Sequence, residues 1–208
     1  MFDELVKFFV VLLVVVEPLS LLPVLAGLTD GADESWRRRM SLKAVGISAI
    51  VCLVFAAGGN ALLVLLGISV HAFKVGGGIL LFLLAIEMVF ARPSGVRSIT
   101  PGEDAEAHHR GDISVFPLAF PLIAGPGALA VILLAFAGVP PASLQFAAKV
   151  AVIMLVLAIT LVLMLLTGPV MRVVGVTGGA VLGRLLGVLL AALASQFVMD
   201  GIRGAMSA

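Results

Sequence analysis

The chain contains six long stretches of predominantly apolar residues, separated by short polar connections. A helix needs about 20 residues to cross the roughly 30 Å of bilayer hydrocarbon, because it rises about 1.5 Å per residue. We place the six crossings at about 5–27, 42–66, 72–90, 113–138, 146–167 and 179–202. Stretches of this length and composition are stable in one environment, the interior of a membrane.

The composition supports the same conclusion. Of the 208 residues 62% are hydrophobic and 12% are charged, whereas a soluble domain has about 45–50% apolar and about 25% charged residues. Each crossing should be helical, because lipid cannot satisfy the backbone groups of an open sheet and these runs lack the alternation of barrel strands. The short connections leave no room for a soluble domain. We therefore predict an all-α integral membrane protein, with 1–208 as a single membrane domain.

The basic residues indicate an orientation. With six crossings, the two termini share one side with the second and fourth connections, and four basic residues lie there: Lys7, Lys74, Lys149 and Arg203. The opposite side has nine: Arg37, Arg38, Arg39, Lys43, Arg92, Arg97, Arg110, Arg172 and Arg184. Because cytoplasmic connections carry the excess of Lys and Arg, we predict that both termini lie outside.

An internal repeat relates the two halves of the chain. Residues 78–88 align without gaps on residues 187–197, a shift of 109. Two shorter matches keep the same order at a shift of 108, namely Gly67-Ile68-Ser69 with Gly175-Val176-Thr177 and Glu17-Pro18 with Gly125-Pro126. Because each half has three crossings, its copy must enter the membrane from the opposite side. We predict two inverted-topology repeats, 1–90 and 113–203, joined by a cytoplasmic loop, 91–112.

Proline and glycine interrupt the first and fourth crossings. The first contains Glu17-Pro18-Leu19-Ser20, and the fourth contains Gly125-Pro126-Gly127. Proline removes a backbone donor and clashes with the preceding helical turn, so both helices should break near the bilayer midplane. A simpler alternative is that these residues only kink the helices or let them pack closely.

Paired breaks in corresponding helices point to a substrate site. The predicted binding residues belong to the two breaks: Glu17, Pro18, Ser20, Gly125, Pro126 and Gly127. Four more polar side chains in the crossings are candidates for supporting roles: Asn60, Glu87, Gln196 and Asp200. For Asn60 a hydrogen bond between helices is the alternative, and for Glu87 and Asp200 a solvated position at the membrane surface. A larger side chain in place of Gly127 is expected to fill cavity space and block the site.

Other function classes lack their residues. The crossings contain no cluster of His, Cys and carboxylate side chains that would hold a metal, and no Ser, His and Asp set for nucleophilic catalysis. Gly76-Gly77-Gly78 lacks the strand and the lysine of a phosphate-binding loop. The Lys and Arg residues lie at segment ends and form no basic face for nucleic acid. We therefore expect no metal, no cofactor, no nucleic-acid partner and no enzymatic activity.

The sequence resembles the MarC family of bacterial and archaeal six-helix membrane proteins, also described as a neutral amino acid transporter family. Three stretches carry the resemblance: Phe73–Met88, Pro117–Ala128 and Leu182–Ile202. The resemblance implies an inverted repeat with broken first and fourth helices, and a site between them for small neutral amino acids such as glycine or alanine. Relatives commonly have Asn before the first proline. This chain has Glu17 there, which leaves the carry-over of that role and the substrate open.

We therefore expect a secondary transporter of small neutral amino acids in a bacterial inner membrane, with the lipid bilayer as its surroundings. Proton coupling through Glu17 is a further option, because a carboxyl group inside a membrane is less costly when protonated. Two alternatives stay open: a passive channel or exporter of small solutes, and a membrane assembly factor without transport activity. The sequence does not fix the direction of transport or the oligomeric state.

The orientation can be tested by cysteine labelling. A cysteine introduced near residue 205 should react with a membrane-impermeant thiol reagent added to intact cells, and one near residue 38 should react only after the cytoplasmic side is opened. The reverse pattern would contradict the orientation but not the number of crossings.

Overall fold

The computed structural model of the chain describes residues 2–29, 31–90 and 112–207. Within these ranges the chain forms helices and no strand. The helical segments are α1 (Phe2–Val16), α2 (Pro18–Leu28), α3 (Glu34–Leu65), α4 (Val70–Phe90), α5 (Ser114–Ile123), α6 (Pro126–Phe136), α7 (Leu144–Leu165) and α8 (Thr167–Met206). α5 is irregular, with extended backbone at Phe116 and Phe120 inside it. α8 is kinked at Gly175, where φ is 63° and ψ is 173°, and the other segments are α-helical.

These segments give up to six membrane crossings by length and hydropathy. Five candidates are Phe2–Leu28, which joins α1 and α2, Glu34–Leu65, Val70–Phe90, Leu144–Leu165 and Gly178–Met206. α5 and α6 form the sixth when counted as one span, and they are bent by 57°. The prediction of an all-helical, multi-pass membrane protein is therefore confirmed. Apart from Asp112, the predicted loop 91–112 lies outside the described residues, and the superposition of the two halves stays a prediction.

α3 is longer than its predicted crossing. It begins at Glu34 and continues through Arg37 to Arg39 before the apolar stretch starts. Hydropathy marks where a helix enters hydrocarbon and carries no signal for where the helix begins, so the predicted crossing 42–66 covers only the apolar part of α3. At 32 residues, α3 spans about 48 Å and extends beyond the hydrocarbon.

A polar cluster joins α3 to the start of α5. The amino group of Lys43 binds the carboxylate of Asp112. Asp112 also accepts hydrogen bonds from the backbone N–H of Ser114, at 2.9 Å, and from its hydroxyl, at 2.5 Å. These hydrogen bonds from Lys43 and Ser114 lower the pKa of Asp112 to about 2. The cluster therefore fixes the point at which the second half of the chain enters the helical bundle.

α4 and α8 pack against each other through glycines, and their order is antiparallel. A Cβ atom at Gly78 would lie 3.0 Å from the carbonyl oxygen of Ala194 and 2.8 Å from a methyl group of Val198. A Cβ atom at Gly187 would lie 3.0 Å from a methyl group of Val89. Small residues at such positions let membrane helices approach backbone to backbone. Further along, Gly201 makes the same close approach to His71 and Val75.

Gly78→Ala should therefore destabilise the bundle. The added methyl group meets backbone atoms of α8 that cannot move aside cheaply, and overpacking of this kind costs about 1–3 kcal/mol. The thermal unfolding midpoint in detergent should fall by several degrees. Gly76→Ala is the matched control, since a Cβ atom there has nothing within 4 Å. Equal midpoints for both variants would contradict the close α4–α8 contact.

Candidate functional site

The first break lies between α1 and α2, at Glu17. Its backbone is in the left-handed region, with φ 47° and ψ 62°, a conformation that costs a residue with a side chain roughly 1–2 kcal/mol. The Glu17 N–H still donates to the Leu13 carbonyl at 2.9 Å, and its own carbonyl accepts from Ser20 N–H at 3.1 Å. Pro18 follows at the first position of α2, where its missing N–H costs nothing. The chain thus ends one helix and starts another within a single residue.

The Glu17 side chain is enclosed beside α8. Only 7% of Glu17 is exposed. A Cβ atom at Gly183 would lie 2.6 Å from Glu17 Oε1 and 3.7 Å from Ser20 Oγ. The backbone of α8 therefore approaches the carboxylate and the hydroxyl together, and glycine is what allows the approach.

The second break lies between α5 and α6. The backbone is extended at Phe116 and Phe120, because a residue that precedes proline is disfavoured in the helical conformation. α5 then ends, and Gly125 is extended, with φ −75° and ψ 171°, immediately before Pro126 opens α6. A Cβ atom at Gly125 would lie 2.2 Å from the Pro121 carbonyl oxygen. No side chain fits at Gly125 unless the backbone moves.

The two breaks meet in the fold, where α1 and α6 pack antiparallel. Gly127 lies against Val15, since a Cβ atom there would be 3.0 Å from Val15 Cγ1. At the far end of the same pair, the rings of Phe8 and Phe136 are 6.2 Å apart in an edge-to-face contact. The last turn of α1 and the first turn of α6 therefore lie side by side.

The expectation that a side chain at Gly127 would enter cavity space is wrong. Besides Val15, its Cβ atom would lie 3.0 Å from Leu84 Cδ2 and 3.6 Å from Leu81 Cδ2. The cavity around this break has a volume of about 10 Å³, which is room for about one water molecule. In this conformation Gly127 belongs to the packed core.

The two short helices that leave the breaks are matched. α2 and α6 have 11 residues each, and each begins with proline. A shift of 108 relates both their starts, Pro18 and Pro126, and their ends, Leu28 and Phe136. The N–H groups in the first turn of a helix have no partner within it, and the helix dipole makes that end positive. The N-termini of α2 and α6 therefore lie at the breaks, where they favour binding of a negatively charged group.

Two larger cavities lie on opposite sides of the breaks. The first cavity lies between α2 and α8, has a volume of about 190 Å³, and includes Ser20 and Gly175 in its walls. We call it the α2–α8 cavity. The second cavity lies beside the first half of α1, on the other side of the break, and has a volume of about 490 Å³. We call it the charged vestibule. Its walls contain six polar or charged side chains: Glu4, Lys7, Lys74, Lys149, Gln196 and Asp200.

The four supporting polar residues lie on α3, α4 and α8, outside the segments that contain the breaks. Asn60 is exposed on α3, and Glu87 is half-buried in the last turn of α4. Gln196 donates a hydrogen bond of 2.7 Å to Asp200 within α8, and both line the charged vestibule. Within the described ranges no three His, Cys, Asp or Glu side chains are grouped as metal ligands.

Sequence reasoning missed the charged vestibule. Its signal was Lys149, a lysine inside the predicted crossing 146–167, which was counted only as a marker of orientation. A cation within an apolar run is costly unless it is paired or wet, so it indicates a polar cavity nearby.

Comparison with known proteins decides the family. The family model described as MarC family integral membrane protein matches residues 2–206. The chain belongs to the MarC family. Because the match covers nearly the whole chain, it includes both breaks and every cavity described above.

Proteins similar to this MarC family chain occur in bacteria and archaea. It is 32% identical over 204 residues to the UPF0056 membrane protein YvbG of Bacillus subtilis, covering 98% of this chain and 96% of that protein. It is 34% identical over 192 residues to the UPF0056 membrane protein MJ1677 of Methanocaldococcus jannaschii, covering 92% of each. It is 32% identical over 202 residues to the UPF0056 inner membrane protein YhgN of Escherichia coli K12, covering 97% of each. No solved structure matches it significantly.

The packing at Gly127 gives a stability prediction for this MarC family protein. Gly127→Leu should lower the thermal unfolding midpoint in detergent and the amount of protein in the membrane, because Leu84 and Val15 leave no room for a side chain. Overpacking predicts a loss of about 1–3 kcal/mol or more. Gly58→Leu on α3 is the control, since a Cβ atom there has nothing within 4 Å. An unchanged midpoint for Gly127→Leu would mean that the break is open in the resting protein.

Proposed function

We propose that the protein is a secondary transporter of small neutral amino acids such as glycine and alanine. The observation that carries the proposal is the meeting of the two helix breaks, at Val15 and Gly127, between cavities on opposite sides. Breaks of this kind expose backbone groups inside a membrane, which is tolerated only where protein or a water-filled cavity surrounds them. A solute site is the function that such an arrangement serves in other transporters.

The proposal includes an inverted repeat, which two features support. The contact of Gly78 with Val198 has a counterpart in the contact of Gly187 with Val89, and the shift of 109 converts each pair into the other. Such a reciprocal contact between antiparallel helices is what a two-fold axis in the membrane plane produces. The matched bounds of α2 and α6 are the second feature. Residues 1–90 and 113–203 would then be the two repeats, related around the breaks.

In this proposal the ends of the zwitterion meet groups of opposite sign. The carboxylate binds backbone N–H groups in the first turn of α6 or α2, where the helix dipole is positive. The ammonium group binds the carboxylate of Glu17 or the backbone carbonyls near the break. Ser20, which lies beside Glu17 on the approach to Gly183, is a further hydrogen-bonding group for the solute. The small volume between the breaks, about 10 Å³, favours a small substrate.

The closed contact favours a carrier over an open channel. Val15 and Gly127 are buried against each other, so a solute at this point requires α1 and α6 to move apart. We propose that the two repeats move against each other, opening the breaks to one cavity at a time. A gradient of protons or of the solute would drive the cycle. The name of the Escherichia coli relative supports an inner-membrane location, and both termini would be periplasmic.

Counterflow in proteoliposomes tests the function. Purified protein should take up radiolabelled alanine or glycine faster when unlabelled substrate is inside, because a carrier returns loaded more readily than empty. A passive channel would show no such acceleration. Absence of any amino acid flux would contradict the proposal and leave the assembly-factor alternative.

Glu17→Gln separates two roles of the carboxylate. If Glu17 carries a proton, the variant should keep exchange of alanine but lose accumulation driven by a pH gradient. If Glu17 instead binds the ammonium group, both should fall, by about tenfold or more for the loss of a charged hydrogen-bond partner. Glu34→Gln is the matched control, since Glu34 is exposed at the start of α3. Normal exchange and normal pH dependence in Glu17→Gln would remove Glu17 from the site.

A further inference from the structure

The charged vestibule combines a large volume with a built set of charges. Five segments form its walls: α1, α4, α6, α7 and α8. Its charged side chains are three cations and two carboxylates, Lys7, Lys74, Lys149, Glu4 and Asp200. At about 490 Å³ it lies within the usual range of small-molecule sites, about 300–1,000 Å³. A cavity with both signs of charge fits a zwitterion better than it fits an apolar solute.

Lys149 is the buried member of this set. Only 7% of it is exposed, which is rare for a lysine side chain. Its amino group donates a hydrogen bond of 2.5 Å to the carbonyl of Ala135, in the last turn of α6. An ammonium group has three donors, so two remain for another partner. Lys149 can therefore hold the end of α6 and an anionic group at the same time.

The floor of the vestibule is one helical turn from the paired breaks. On α1 the lining residue Val11 is followed four positions later by Val15, and on α6 the lining residue Val131 is preceded four positions earlier by Gly127. Four residues of helix correspond to about 6 Å. Val11, Val15 and Val131 are all buried. A single apolar layer therefore separates the charged vestibule from the candidate site.

From these contacts we infer that the charged vestibule is an outer binding site for the amino acid, on the side of the two termini, and that Lys149 binds its carboxylate. The ammonium group lies toward Glu4 or Asp200. The inference rests on the proposed transport function and adds an entrance to it. A solute held here is one apolar layer away from the breaks and enters when α1 and α6 separate.

Substitution of Lys149 tests the role of its charge. Binding of alanine and of alaninamide, which lacks the carboxylate, is measured by thermal shift on purified protein. Lys149→Met should weaken alanine binding about tenfold or more, as for one charge-assisted hydrogen bond, and should abolish the preference for alanine over alaninamide. Lys149→Arg should keep the preference. Arg203→Met is the control, an exposed cation outside the vestibule.

A purely structural role for Lys149 gives a different result. If Lys149 only caps α6, Lys149→Met lowers the unfolding midpoint but leaves the preference for alanine unchanged, which would overturn the inference. If Lys149→Met does not fold, the double variant Glu4→Gln/Asp200→Asn, which removes both carboxylates of the vestibule, provides a second test. It should weaken binding of alanine while leaving its carboxylate preference intact, and unaltered alanine binding would count against the site.

A labelling experiment separates this inference from the proposed function. In a Cys52→Ala background, Leu193→Cys, at a half-buried position of the vestibule wall, should react with an impermeant cationic thiol reagent from the side of the termini, and alanine should slow the reaction. Ile153→Cys, at a fully buried position of α7, is the unreactive control. Protection without transport would retain the outer site and reject the transporter. Transport without protection would retain the transporter and reject the outer site. The absence of both protection and transport would reject both proposals.

Discussion

The whole fold depends on hiding the backbone that two helix breaks release inside a membrane. Each break leaves N–H and carbonyl groups that hydrocarbon cannot satisfy, and every unpaired group would cost several kcal/mol. The structure encloses both breaks within one bundle. α1 and α6 pack against each other at Val15 and Gly127, α4 covers them with Leu81 and Leu84, and α8 closes over Glu17. α3 and α7 complete the enclosure from the other side.

Glycine is what makes so close an enclosure possible. A Cβ atom at Gly125 would collide with the Pro121 carbonyl, one at Gly183 would displace the Glu17 carboxylate, and one at Gly127 would press on methyl groups of Val15 and Leu84. Each of these glycines lets one segment approach the break in another. The strained backbone of Glu17 lies at the centre of the same region, and strain that persists in a buried position is typical of functional sites. Close glycine packing therefore surrounds the proposed solute site.

Much of the architecture could be predicted from the sequence, because a membrane imposes simple rules. Apolar length predicted the crossings, and the candidate spans match them. The helix ends at Val16 and Ile123 were predictable because Pro18 and Pro126 lack a backbone N–H and clash with the preceding helical turn. Two features could not be predicted. The packing of Gly127 depends on side chains of α1 and α4 that are distant in sequence, and the charged vestibule exists only because five segments bring their charges together.

The two cavities differ in chemistry although related segments surround the breaks. The shift of 109 that relates Gly78 to Gly187 also relates Lys74, in the charged vestibule, to Gly183, beside Glu17. The first half of the chain therefore has the cation Lys74 where the second half has Gly183. The first half also has the carboxylate Glu17 where the second half has Gly125. A perfectly repeated protein would present the same groups to both sides of the membrane. The charged vestibule presents charges of both signs, whereas the walls of the α2–α8 cavity are apolar apart from Ser20. In the proposed transporter, entry from the two sides therefore need not be equally favourable. In the proposed transporter a repeated backbone would supply the movement and the gradient would set the net direction, while the unmatched side chains would determine how readily each side binds the solute.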